Sequence, residues 1–356
     1  MEFLVMETNF QALSIVDSFE SLIWTDRYFK CGDFEVYLPV SSKYLALLRP
    51  DRYLWMNDSE HVMVIEKIEI VTDAETGNDL TVSGPSLESI LERRIIWGQK
   101  VLSGNFQDGI HELLTENVIS PTIAARQIPN FIFEASTDPV ITALTIDTQF
   151  FGEDLYTSIQ ELCEANNIGF KITLTDDNHL KFKLYSGADR SYDQLANPYV
   201  VFSPKFENII NSNYIEAKNA LRTVTLVGGE GEGADRKLVS VEVSTGGGSG
   251  LERREIFTDA SSVSSKVDGG TLSTIDYDAQ LTQKGTENLS QNVEVSSFEG
   301  EVDVSKMYKY GEDFFMGDIL QIANEYGMEA KARVIELIHS QSLDSVEIYP
   351  TFATVN

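Results

Sequence analysis

His61-Val-Met-Val-Ile-Glu-Lys-Ile-Glu-Ile-Val71 puts Val62, Val64, Ile68 and Ile70 on one face and Lys67 and Glu69 on the other. That spacing predicts a half-buried β-strand. Thr76-Gly-Asn-Asp79 predicts a turn, and Leu80-Thr-Val-Ser83 a returning partner strand. The period then changes. Gly84-Pro85-Ser86 predicts a helix start, with Leu87, Ile90, Leu91 and Arg94 at helical spacing. Strands followed by a switch of period indicate an α+β fold, mostly β.

Outward from this stretch, Phe34–Leu38 reads as another strand, stopped by Pro39. Helices are predicted at about Phe106–Asn117, on the stripe Phe106, Ile110, Leu113 and Leu114, and after Gly152, on Leu155, Ile159 and Leu162. A hairpin follows: Phe170, Ile172 and Leu174, a turn at Asp176–His179, then Leu180, Phe182 and Leu184. Residues 100–195 therefore read as a small α+β insert between β-rich segments. Beyond Asn208 the chain is strand-rich again. Gly228–Asp235 reads as the mobile acidic tip of a hairpin, and Gly246–Gly250 as a soft loop. Residues 276–290 read as a helix weakened by Gly285. Four or five further strands follow Val293, broken at Gly300, Gly311, Gly317 and Gly327.

The 356 residues carry 56 Asp and Glu against 27 Lys and Arg, a net charge of -29. Such a surface repels nucleic-acid phosphate and anionic membranes, which excludes binding by phosphate neutralisation. Cys31 and Cys163 lie far apart with no CxxC spacing, so two free thiols in a reducing compartment are expected. The acidic start MEFLVMETNF is unlike a signal peptide, and no apolar run is long enough to span a bilayer. Folding in a cytoplasm is the expectation.

The search for chemistry yields no catalytic residue, cofactor or metal site. His61, His111, His179 and His339 stand in unrelated segments, none in a zinc-ligand spacing. There is no nucleophile elbow, Walker loop or dinucleotide fingerprint. Glu230, Glu232 and Asp235 do not fit a calcium-loop spacing, and a solvated turn is the better reading. Carboxylate pairs such as Glu66/Glu69 and Glu153/Asp154 are too common here to single out a glycosidase. Cys163 borders an apolar stripe, which favours packing over a peptidase nucleophile. Trp24, Trp55 and Trp97 would suit a sugar platform, but their apolar neighbours favour core or interface. Arg93-Arg94 and Arg253-Arg254 are the paired basic sites of this acidic chain. They either close salt bridges on their own surface or hold an acidic neighbour across a subunit boundary. Arg93, Arg94, Arg253, Arg254, Trp24 and Trp97 are accordingly the candidate interface residues.

Six segments carry a resemblance: Ser21–Pro39, Ser83–Trp97, Ser186–Ser191, Thr225–Gly231, Arg253–Asp259 and Tyr310–Leu320. In this order they resemble the tail-hub-like proteins of siphoviruses and prophages of Gram-positive bacteria, which are similar to the baseplate hub of T-even phages. The resemblance implies two β-barrel tube domains flanking the α+β insert, plus a small C-terminal subdomain. The boundaries it suggests are 1–99 for the first tube domain (completed by about 200–222), 100–199 for the insert, and 223–356 for the second tube domain with its accessory subdomain. It implies a homotrimeric ring in the virion tail tip, assembled in the host cytoplasm and without catalytic residues or cofactor. Its implied partners are the distal tail protein, the tail tube or tape-measure protein and the tip or receptor-binding proteins, with DNA only as passing cargo and no membrane binding. The alternatives are a tail-associated peptidase or muramidase and a carbohydrate-binding tail adhesin.

Overall fold

The computed structural model describes residues 1–73, 77–267, 270–302 and 307–355. The chain divides into two compact units built from interleaved segments. Met1–Ser89, Gly169–Tyr214 and Ser297–Asn356 form the first; Ile90–Ile168 and Ile215–Ser296 form the second. These limits differ from the divisions suggested at 100, 200 and 223. The hairpin Gly169–Leu174 with Leu180–Tyr185 belongs to the first unit, and so do the C-terminal strands.

A ten-stranded sheet dominates the first unit. Its main path runs Ile209–Ala217, Val295–Val302, Val346–Thr354, Glu329–Gln341, Ser21–Arg27, Asp33–Pro39, Gly77–Pro85, Lys67–Asp73. Ile319–Ala323 and Val201–Phe202 branch from Glu329–Gln341. The path is open at both ends, and no closed barrel occurs among the described residues, which corrects the expectation of two β-barrels. The end strand Lys67–Asp73 carries exposed Lys67 and Glu69, charges that discourage further pairing at an edge.

The predicted strand 61–71 is in fact two. Val62–Val64 joins a four-stranded sheet with Ala12–Val16, Phe3–Met6 and Tyr53–Trp55, and Lys67–Asp73 pairs with Gly77–Pro85. The predicted turn begins at Thr76, which lies outside the described residues. The break follows from a close backbone approach: a Cβ on Gly84 would stand 1.9 Å from the Val64 carbonyl oxygen. Phe3, Val5, Leu54 and Met63 of the smaller sheet share one core with Leu22, Trp24, Phe34, Val36 and Val82 of the larger. A second core gathers Phe202, Phe314, Leu320, Val334 and Phe352.

The switch of period is real, although Leu87–Arg93 is a short 3-10 helix. In the second unit, Phe106–Leu114 buries its predicted stripe and is capped by Asn105, whose Oδ1 accepts the Asp108 N–H at 3.2 Å. Asp154 caps Leu155–Ala165 in the same way, accepting the Thr157 N–H at 2.8 Å. Leu238–Glu242, Val224–Gly228 and Glu255–Asp259 form a three-stranded sheet, and Thr274–Gln291 packs over it. The helix runs unbroken through Gly285. A Cβ there would stand 2.7 Å from a Val241 methyl and 2.8 Å from a Val227 methyl, so glycine sets how closely helix and sheet approach. Likewise, Gly300 lies within Val295–Val302, while Gly311, Gly317 and Gly327 take positive φ between strands.

Candidate functional site

Four of the six resemblance segments stitch the first unit together. Ser86 N–H donates to the Gly32 carbonyl at 2.9 Å, and Gly32 N–H donates to Ser86 Oγ at 2.7 Å. Gly187 and Gly317 meet so closely that a Cβ on Gly187 would stand 1.9 Å from the Gly317 carbonyl carbon. Beside them Asp318 accepts the Ala188 N–H at 2.7 Å and Arg190 Nε at 2.6 Å. These contacts explain why glycine and aspartate stand at those positions. In the second unit, Val224–Gly228 and Glu255–Asp259, from the other two segments, pair in parallel.

Around these junctions lies a cavity of about 770 Å³ within the first unit, lined by both polar and apolar side chains. One wall carries Asp26, whose carboxylate accepts Trp24 Nε1 at 3.1 Å and Ser59 Oγ at 2.8 Å. Next to it His61 is buried with Nδ1 3.2 Å from Glu88 Oε1. Glu88, also fully buried, accepts the Ile172 N–H at 2.7 Å and the Ser86 hydroxyl. Burial opposes charge on His61, but Glu88 and then Asp26 outweigh it and raise its pKa to about 9. Burial likewise opposes charge on Glu88, and His61 holds that carboxyl below its ordinary value. The pair is therefore charged at neutral pH. Lys171 contacts Glu60, and Arg190 pairs with Asp318 at 2.6 Å, so these cavity cations already have counterions.

His339 differs. Its strand places it between Trp24 and Ile348, it is 2 % exposed, and neither ring nitrogen has a hydrogen-bond partner. Nε2 stands 4.0 Å from Asp26 Oδ2. Burial lowers its pKa against the pull of Asp26 and Asp58, which leaves a neutral imidazole facing the cavity. The Tyr185 hydroxyl is also buried without a partner.

The candidate interface residues do not gather into one site. Trp24 is fully buried in the first core, so it is corrected to a packing residue: its ring fills the space between the two sheets and its N–H is spent on Asp26. Trp97 is 64 % exposed, with the Arg126 guanidinium 4.9 Å from its ring centroid. Trp55 is partly exposed at the end of Tyr53–Trp55. Arg93 lies at the end of the 3-10 helix, and Arg94 donates to the carbonyls of Arg126 and Arg93. Arg253 bridges Glu255 at 2.6 Å and Glu242 at 3.2 Å, and Arg254 donates to the Lys218 carbonyl. Arg253 also borders a groove on the sheet face that shows exposed Leu226 and Phe257.

Other sequence candidates have structural roles. His111 stacks on Phe133 at 4.6 Å, and His179 pairs with Asp177 in its turn. Cys163 is buried, which pushes its thiol up, away from nucleophilic use. The expected mobile acidic tip is anchored: Glu230 accepts both Ser264 Oγ at 2.8 Å and Ser265 Oγ at 2.5 Å, and its N–H donates to the Tyr277 hydroxyl. Those serine hydrogen bonds hold Glu230 below the ordinary carboxylate range. Among the described residues no group of three or more His, Cys, Asp or Glu is placed to hold a metal.

One family model matches residues 2–352. The chain belongs to the family described as Siphovirus ReqiPepy6 Gp37-like protein. Solved structures share its fold along its full length. Prophage tail protein gp18 from Listeria monocytogenes EGD-e is 13% identical with a TM-score of 0.58, covering 100% of this chain and 95% of that one. The 43 kDa tail protein of prophage MuSo2 from Shewanella oneidensis is 11% identical, with a TM-score of 0.58 and coverage of 100% and 98%. A tail protein from Neisseria meningitidis MC58 is 12% identical, with a TM-score of 0.57 and coverage of 99% and 97%. At such identities the likeness is one of fold. No curated protein matches in sequence. Family membership bears out the resemblance to siphovirus tail proteins and makes this a structural protein of the phage tail.

Proposed function

We propose that the chain is a hub subunit of the tail tip, acting by assembly and without catalysis. The observation that carries this reading is the family match over nearly the whole chain, joined to a fold shared end to end with prophage tail proteins. Three copies would close a ring by rotational symmetry. Within each copy, parts of the two units would serve as the tube-like domains around a smaller α+β region. The ring would join the tail tube and the distal tail protein to the tip, as a component of the virion.

The net charge of -29 per copy supports a passage that does not hold DNA, because phosphate is repelled from acidic walls. Arg253, at the edge of the sheet groove, and the exposed Trp97 are the residues we expect at contacts with neighbouring copies or tail partners. Arg93, Arg94 and Arg254 are further candidates; Arg94 and Arg254 already serve local carbonyls, and Arg253 would exchange its ion pairs with Glu242 and Glu255 for a partner's acid.

Light scattering across a concentration series, alone and with the distal tail protein, tests the ring. Three times the monomer mass in either condition is expected. A strict monomer in both overturns the reading. Clearing of Gram-positive cell walls by the purified protein would instead favour the lytic alternative.

A further inference from the structure

The cavity of the first unit is lined by side chains that include buried polar groups without a hydrogen-bond partner. Its cations are already matched, His61 by Glu88, Lys171 by Glu60, Arg190 by Asp318 and Lys309 by Glu312. An anionic ligand would have to displace one of these partners. Two lining residues hold neutral polar groups without a hydrogen-bond partner: the buried His339 ring has one N–H and one lone pair, and the buried Tyr185 hydroxyl can donate or accept. Such groups pair with hydroxyls, which also donate and accept. A buried polar group without a partner costs free energy, and a hydroxyl-bearing occupant recovers it.

The rest of the lining mixes charged side chains with apolar surface. Phe315 is 45 % exposed at this cavity, and Tyr310 and Ile348 add apolar surface. Asn57 and Asp58 supply further polar atoms from a single loop. An aromatic ring beside paired donors and acceptors suits a pyranose, whose faces are apolar and whose rim is hydroxylated. A volume of about 770 Å³ holds a short saccharide.

We propose that this cavity binds a neutral saccharide, with His339 and Tyr185 meeting ring hydroxyls and Phe315 stacking on the sugar face. The inference does not rest on the ring: a monomer with this cavity would bind equally.

Saturation-transfer NMR and calorimetry on the full chain, with N-acetylglucosamine and glucose as probes and inorganic phosphate as the charge control, test it. One of the two sugars is expected to bind saturably, with a Kd on the order of 1 mM, as befits a single ring. Phe315→Ala and Tyr185→Phe, which change an exposed ring and remove one hydroxyl, should each weaken binding about tenfold, a loss of about 1.4 kcal/mol. A melting curve confirms that each variant is folded. No saturable binding of either sugar overturns the proposal. So does binding of phosphate in place of sugar, or sugar binding unchanged in both folded variants.

Discussion

Replacing Glu88 by Gln isolates one charge at the centre of the first unit. The amide keeps the volume and one oxygen to accept the Ile172 N–H, so the change removes charge with little loss of packing. It leaves His61, equally buried, without its nearest counterion. The His61 pKa of about 9, against an ordinary 6.5, corresponds to roughly 3 kcal/mol at about 1.4 kcal/mol per unit. The folded chain holds this proton more tightly than the unfolded chain. The contribution is therefore complete below pH 6.5 and lost as pH rises through about 9. Glu88 acts in the opposite sense: its lowered value stabilises above 4.5 and fades on acidification. Glu88→Gln should thus cost about 3 kcal/mol at pH 6 and far less above pH 9. Urea unfolding followed by far-UV circular dichroism at both pH values measures the cost, and the His61 ring resonances report the titration directly. A cost below about 1 kcal/mol at pH 6, or one equal at both pH values, would refute the account of a charged buried pair.

Two further predictions concern the second unit and the thiols. Gly285→Ala in an ordinary helix would gain about 1 kcal/mol, but here the new methyl meets Val241 and Val227 below 3 Å, and overpacking costs about 1–3 kcal/mol. A net loss in the calorimetric transition of the second unit is expected, and a gain would show that the helix shifts freely. A maleimide should label half-buried Cys31 in the native protein and spare Cys163 until unfolding; equal native rates, read by mass spectrometry, would contradict the packing described for Cys163.

What was legible in the sequence was local. The hairpin 170–184 and the helices at Phe106 and Leu155 follow from spacing, caps and turns within a few residues, and the structure has them almost where the pattern puts them. The split of 61–71 was hidden because the apolar run continues through Ile65; what divides it is a backbone approach by Gly84. Gly285 looked like a flaw for the same reason, since propensity describes a helix alone and this glycine answers to a sheet. The open sheet path was hidden too, because which strand pairs with which does not follow from alternation. Asp26, His61, Glu88 and His339 stand in four segments, and no spacing rule joins them. Two signals pointed their way: Ser86 and Glu88 lie inside a resemblance segment, and His61 opens a run of four apolar residues that had to be buried.

The ordering of the chain has a consequence for folding. Arg27 Nε meets Glu336 Oε1 at 2.7 Å across 309 residues, and the strand Ser21–Arg27 has Glu329–Gln341 as its neighbour. Val346–Thr354 flanks that neighbour on its other side and delivers Phe352 to the core beside Phe202, at 5.7 Å between ring centroids. The first unit therefore closes only when strands from both ends of the chain have met, a strongly non-local arrangement. Deleting residues 345–356 would leave Glu329–Gln341 unpaired along one side and remove Phe352, a loss of about 3–5 kcal/mol from that ring alone. That is comparable with the whole stability of a typical domain, about 5–15 kcal/mol, so the first unit should fail to fold. The second unit loses none of its segments, and its core of Val227, Val241 and Leu281 stays intact. Limited proteolysis of the truncated chain should degrade residues of 1–89 and leave a protected fragment from the second unit. If both units resist equally, the last strand does not close the first unit, and the dependence of its fold on pairing between the two ends of the chain is wrong.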